Sequence, residues 1–178
     1  YNIPEAGRTA KGTPVVNIIE KSPEEKISEI IPVKEFSDNE YLVMVTKNGI
    51  IKKTPASEYE SIRKSGKIAI TLKEGDELIS IFKTTGNDNI FLATRNGMAI
   101  CFNENDARAV GRTASGVKAI DLADGDYVVG AEPVREDSKV LLVTDGGYGK
   151  CTDLTSFRIQ HRGGKGLKAY KITEKTKV

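Results

Sequence analysis

The chain has 178 residues, 27 Lys+Arg against 25 Asp+Glu, one His, two Cys and no Trp, for a formal charge of +2. That length allows one domain with a sizeable core or an array of small repeats, and so even a balance excludes bulk charge as a pointer to nucleic acid. No apolar run approaches the roughly 18 residues of a membrane span and no charged-then-apolar leader opens the chain, so no membrane partner is expected.

In chain order, residues 1–36 read as the second half of a repeat: Val15 to Ile19 as a strand, Pro23-Glu24-Glu25 as a polar turn, and Ile27 to Ile31 as another strand. The abrupt start at Tyr1 suggests a piece of a longer protein. A complete repeat over 41–86 opens with Leu42 to Thr46, turns at Asn48-Gly49, and returns along Ile50 to Lys53. An Asn-Gly pair between strand-like runs predicts a tight hairpin with a type I′ turn. After a polar stretch and Gly66, Lys67 to Leu72 predicts a third strand, and Gly75-Asp76 turns the chain into a fourth, Leu78 to Phe82. Residues 89–136 repeat this plan through Ile90 to Ala93, Asn96-Gly97, Gly116, Gly125-Asp126 and Val128-Val129. Residues 138–178 pass Gly146-Gly147 and Gly166 and stop after a third strand, an incomplete unit.

Three markers carry this division. Gly66, Gly116 and Gly166 lie 50 apart, with Gly12 54 earlier, each closing a basic phrase. Asn48-Gly49, Asn96-Gly97 and Gly146-Gly147 are spaced by 48 and 50, and Gly75-Asp76 returns as Gly125-Asp126. A period of about 50 residues without helical periodicity predicts an all-β array of four-stranded propeller-like blades. A two-strand remnant, two full units and one that stops after its third strand predict a partial ring, since closure needs at least about four blades. Cys101 and Cys151 occupy equivalent positions of adjacent repeats, which disfavours a disulfide and fits a reducing cytoplasm.

No catalytic residue, metal or cofactor is expected. The only histidine, His161, lies in a glycine-rich basic loop, with no triad or metal-ligand spacing around it. Gly163-Gly164-Lys165-Gly166 lacks the Walker spacing, and glycine follows its lysine where Ser or Thr belongs. The basic residues point to a polyanion instead. From Lys150 onward, eight basic residues (Lys150, Arg158, Arg162, Lys165, Lys168, Lys171, Lys175, Lys177) face two acids, Asp153 and Glu174, a local balance of 8 − 2 = +6. Around the repeated glycine, Arg8, Lys11, Arg63, Lys64, Lys67, Arg112, Lys118, Arg162, Lys165 and Lys168 recur at corresponding places of one rim. A curved positive rim contacts duplex phosphates without reading sequence and bends the duplex that follows it. The alternative is that these are solvated turn residues, their glycines serving turn geometry alone. Few aromatics accompany them, which argues against stacking on unpaired bases.

The run Gln160-His161-Arg162-Gly163-Gly164-Lys165-Gly166 resembles the Gln-x-x-Gly-Gly-Lys-Gly box in the C-terminal DNA-wrapping domain of the bacterial DNA gyrase A chain, a type IIA topoisomerase component. Tyr1 to Ala6 with Arg8, Lys11-Gly12 and Pro14 to Asn17 resembles a second stretch of that domain, in the blade that follows the usual box, so the motif at 160–166 is expected to be a further, box-like copy. The resemblance implies a β-pinwheel whose rim wraps double-stranded DNA and supports ATP-dependent negative supercoiling. It also implies a non-catalytic module, with the cleaving tyrosine elsewhere in the gyrase A chain, ATP bound by the gyrase B chain, and a bacterial cytoplasmic, nucleoid-associated location. The equivalent domain of topoisomerase IV and a protein-binding propeller are the alternatives.

Overall fold

The computed structural model describes residues 3–61, 63 and 65–176. Its strands are β1 (Tyr41–Thr46), β2 (Ile50–Pro55), β3 (Leu78–Thr84), β4 (Asn89–Thr94), β5 (Met98–Asn103), β6 (Val117–Lys118), β7 (Val128–Pro133), β8 (Lys139–Val143), β9 (Gly149–Asp153) and β10 (Leu167–Lys168). The only helical pieces among the described residues are short 3-10 turns, at Val15–Asn17, Ala56–Tyr59, Glu104–Asp106 and Leu154–Ser156.

The strands form two antiparallel four-stranded sheets, ordered β3-β1-β2-β6 and β10-β5-β4-β7, and one hairpin, β8-β9. Each four-stranded sheet draws on two repeats. Its inner strand and central hairpin come from one repeat, while its outer strand is the segment after the glycine of the next: Ile50 lies opposite Lys118 and Ile51 opposite Val117, then Met98 opposite Lys168 and Ala99 opposite Leu167. The marker glycine makes this approach possible. A Cβ on Gly116 would sit 2.4 Å from the Ile51 carbonyl oxygen, and one on Gly166 2.3 Å from that of Ala99, with φ of +89° and +74°. A side chain there meets both a backbone clash and left-handed strain.

The expected strands need correction in several places. Val15–Asn17 is a 3-10 turn, and residues 27–31 and 67–72 join no sheet. The strand after Gly116 is two residues long rather than six, because at Ala119 the chain leaves the sheet: its N–H donates to the Gly49 carbonyl, and that of Asp121 to Gly164 of the next repeat. The hairpin turns are not type I′, which needs two positive φ values; in each it is the glycine, Gly49 or Gly97, that has positive φ, while Asn48 and Asn96 do not. The Gly49 N–H closes the turn on the Thr46 carbonyl at 3.0 Å. Asn48 N–H instead donates to the Asp76 carboxylate, and Asn96 N–H to Asp126, both at 2.9 Å. The Gly-Asp marker is thus the acceptor that locks the Asn-Gly turn of its own sheet.

The core lies between successive sheets. Val43, Val45, Ile51 and Phe82 of the first sheet pack with Ile90, Leu92, Ile100 and Phe102 of the second and with Ala119 and Ile120 beyond β6. The opposite face of the second sheet, Phe91, Ala93 and Cys101, packs against Phe157, Val140 and Leu142. Phe91 and Phe157 meet edge to face at 5.0 Å. A buried ion pair also joins the two repeats: Lys53 Nζ on β2 reaches Glu104 Oε2 at 2.8 Å, with side-chain exposures of 5% and 0%. Glu104 further accepts from Thr84 Oγ1 and from the amides of Gly86 and Asp88.

Candidate nucleic-acid interface

The outer strands bring basic residues to the sheet edges because each runs glycine, apolar residue, lysine. Val117 and Leu167 turn partly inward, leaving Lys118 and Lys168 exposed at the same register of consecutive sheets. Lys118 Nζ donates to Asp121 at 2.8 Å. This hydrogen bond, then the charges of Lys118 and Lys165, hold the Asp121 carboxyl below its usual range. The pair is solvent-exposed, so it contributes little and exchanges readily for another anion. Lys165 and Lys168 are exposed and carry no hydrogen bond or ion pair among the described residues, and Arg8, in the turn closed by the Ala10 N–H on the Gly7 carbonyl, and Lys11 are exposed in the opening segment.

Arg162, Arg112 and Lys67 are engaged within the fold. Arg162 is half-buried: its Nε donates to the Asp106 carbonyl at 2.7 Å, its guanidinium to the Lys118 carbonyl at 2.9 Å, and its amide to the Asp106 carboxylate at 3.2 Å. Arg112 repeats this one unit earlier, donating to the Ile68 carbonyl at 3.1 Å. Lys67 donates to the Glu58 carbonyl at 3.2 Å. Arg63 is exposed and interacts within the chain; Lys64 lies outside the described residues. The structure therefore separates a staple at Arg112 and Arg162 from an exposed set at Lys118, Lys165 and Lys168.

The glycine-rich loop is a seam. The Gln160 amide donates to the Cys101 carbonyl at 2.8 Å, the Gly163 amide to that of Ala119 at 2.6 Å, and the Gly164 carbonyl accepts from Asp121 N–H at 2.9 Å. His161 projects into solvent with Nδ1 3.3 Å from Asp106 Oδ2. With the Gly163 amide so committed, the loop offers anions the exposed Lys165 side chain rather than that backbone donor.

Outside the basic set expected from the glycine phrase, two exposed arginines stand at matching positions of successive repeats. Arg108 and Arg158, 50 residues apart, follow the 3-10 turns at Glu104–Asp106 and Leu154–Ser156. Each immediately precedes a residue bridged to the preceding sheet, Ala109 to Lys53 and Ile159 to Cys101. The 50-residue period contains that signal, several residues upstream of the repeated glycine. Among the described residues no cluster of three His, Cys, Asp or Glu is placed to hold a metal, and no helix is long and apolar enough to cross a membrane.

Residues 1–34, 40–85, 88–135 and 138–178 match the family described as DNA gyrase C-terminal domain, beta-propeller. The DNA gyrase A chain of Clostridium acetobutylicum is 56% identical over 118 residues, covering 66% of this chain and 14% of that protein. Its counterpart in Halalkalibacterium halodurans is 50% identical over equal shares. Among solved structures, the C-terminal domain of DNA topoisomerase IV superposes with a TM-score of 0.82 at 34% identity, over 88% of this chain and 49% of that one. A DNA gyrase A C-terminal domain superposes with a TM-score of 0.82 at 27% identity, over 94% and 56%. The chain thus spans about one seventh of the curated relatives and about half of the solved domains.

Proposed function

Because the chain belongs to the DNA gyrase C-terminal domain family, we propose that it is a non-catalytic module that binds double-stranded DNA without sequence preference and bends it along its rim. In this reading it serves the gyrase A chain of an ATP-dependent supercoiling enzyme, alongside the rest of that chain and the gyrase B chain, with bond cleavage and ATP turnover carried elsewhere. The supporting observation is the lysine at one register of each added outer strand, Lys118 facing Ile50 and Lys168 facing Met98. Repetition of a cation at sheet period follows a phosphate backbone, and Lys165, Arg108 and Arg158 widen the same edge. Arg8, Lys11, Arg63 and Lys67 belong to the proposed contact set at the other end of the array, and Lys64 joins that set from its sequence alone, whereas Arg112 and Arg162 shape the rim.

Nicked plasmid ligated with increasing protein tests the reading. A concentration-dependent linking-number change, lost as salt rises, is the expected result. DNA binding that is insensitive to salt, or no binding, overturns it. The topoisomerase IV domain, equally close in backbone, motivates a second reading in which the chain binds duplex without wrapping it; salt-sensitive affinity with an unchanged linking number selects that one.

A further inference from the structure

The seam between the two four-stranded sheets places one carboxylate among the exposed lysines. Asp121 follows β6, and the glycine-rich loop of the next repeat fixes the backbone that carries it. The Lys118 carbonyl accepts from the Arg162 guanidinium at 2.9 Å, the Ala119 carbonyl from the Gly163 amide at 2.6 Å, and the Asp121 amide donates to the Gly164 carbonyl at 2.9 Å. On this anchored segment Lys118 Nζ and Asp121 Oδ1 meet at 2.8 Å, although the two side chains are 58% and 42% exposed. A backbone fixed in this way brings the partners together with less freedom left to lose. Lys165 lines the same cavity of about 290 Å³ as Asp121, beside Met98, Ile120 and Leu122. The Lys118 hydrogen bond and charge, then the Lys165 charge, lower the Asp121 pKa, so the carboxylate interacts with both cations.

The seam itself does not need a carboxylate at this position. Counterparts 50 residues away are Thr71 and Lys171. At Thr71 the amide makes the same crossing, to the Ala114 carbonyl at 3.3 Å, while the hydroxyl donates to the Thr113 carbonyl at 2.6 Å. Both units thus use the amide of this residue for the seam and leave the side chain open to choice. Asp121 directs its carboxylate to Lys118 instead.

We propose that Asp121 is an internal competitor for DNA phosphate: its carboxylate occupies the place beside Lys118 and Lys165 that a phosphate oxygen takes in the complex, and holds duplex affinity below what the bare lysines would give. The inference rests on the rim being the DNA-binding face. When a duplex arrives, Lys118 exchanges carboxylate for phosphate, and the freed carboxylate is left facing a polyanion. That repulsion opposes the gain from the new contact, and a cation recruited to the freed carboxylate offsets part of the counterion release that drives binding. Because an exposed pair contributes little to folding, the effect of Asp121 falls on affinity rather than on stability.

The test is the affinity of the 178-residue chain for a fluorescent mixed-sequence duplex, measured over a series of salt concentrations. Asp121→Asn keeps the size of the side chain and removes its charge. It should tighten binding about three- to tenfold at low salt, with a steeper salt slope, a gain that shrinks as salt screens the site, and an unchanged melting temperature. Asp121→Glu, which still reaches the lysines, should bind like the parent chain. Asp124→Asn removes an equal charge from the exposed turn three residues on and should change affinity less than about twofold. On a Lys118→Ala background the gain from Asp121→Asn should fall, because one of the two masked cations is gone. Equal gains from Asp121→Asn and Asp124→Asn would assign the effect to net charge and overturn the proposal. So would an Asp121→Asn chain no tighter than a parent that binds duplex in a salt-sensitive way. A parent chain without affinity for duplex overturns the DNA-binding reading itself, and this inference with it.

Discussion

Replacing Glu104 by Ala tests the ion pair that ties the first two repeats together. In the native fold its carboxylate holds the Lys53 ammonium at 2.8 Å, the Thr84 hydroxyl at 2.8 Å and the amides of Gly86 and Asp88 at 2.9 and 2.7 Å. Once it is gone, Lys53 keeps only Asn105 Oδ1 at 3.4 Å and the Tyr41 ring at 4.3 Å, which do not compensate a charge inside the fold. Removing one partner of a buried pair costs about 3–5 kcal/mol. The two orphaned amides add to that wherever water cannot reach them. For a chain of this size the loss corresponds to a melting temperature lower by about 6–20 °C. Denaturant unfolding of Glu104→Ala, Lys53→Met and the double variant Lys53→Met/Glu104→Leu measures it. The double variant should recover most of the loss, because an apolar pair of similar volume needs no desolvation of charge. A single variant within about 1 kcal/mol of the parent chain refutes the reasoning, since the pair would then be hydrated.

Other outcomes follow from the same geometry. Gly166→Ala, forcing a Cβ to 2.3 Å from the Ala99 carbonyl at φ +74°, should release β10 and lower stability by about 2 kcal/mol or more in thermal unfolding; a neutral result means the outer strand contributes nothing. Lys52 is buried on β2, donating to Thr54 Oγ1 and the Ala69 carbonyl, and burial first, then the Arg112 charge, lowers its pKa to about 8 against the opposing pull of Glu58. The unfolded chain then binds the extra proton between about pH 8 and 10.5, so stability rises with pH across that window and the penalty, about 3 kcal/mol, is fully present below it. Lys52→Met should remove that slope, read as the difference between the two stability–pH curves; equal slopes would falsify the assignment. Lys165→Ala and Lys168→Ala should each reduce the salt slope of duplex binding by about one while leaving the melting temperature in place, and Arg162→Ala should lower the melting temperature first.

Much of the fold was legible because its markers act locally. Asn-Gly, Gly-Asp and the spaced glycine each serve one turn or one close approach, and such requirements recur wherever the unit recurs. The turn type was not legible, because the Asn48 N–H donates its hydrogen bond to Asp76, 28 residues away. Residues 67–72 and 117–122 share an alternating pattern that reads as a full strand. The pattern reports burial on two sides and not a ladder, and Ala119 and Ile120 are buried by packing between sheets after β6 has ended.

The site was less legible, for a related reason. Arg162 and Lys165 look alike in the glycine-rich phrase, and only their surroundings separate them: carbonyls of Asp106 and Lys118 stand within reach of one guanidinium, and solvent surrounds the other side chain. By itself the sequence determined the 50-residue period, the hairpins and the basic phrase in every unit, since these rest on turn chemistry and charge within a few residues. Tertiary structure alone decided which hairpin receives each outer strand. A short extended segment carries the same amide and carbonyl ladder whichever edge it meets, so its partner is selected by the carbonyl that its glycine can approach and by the apolar face waiting behind it.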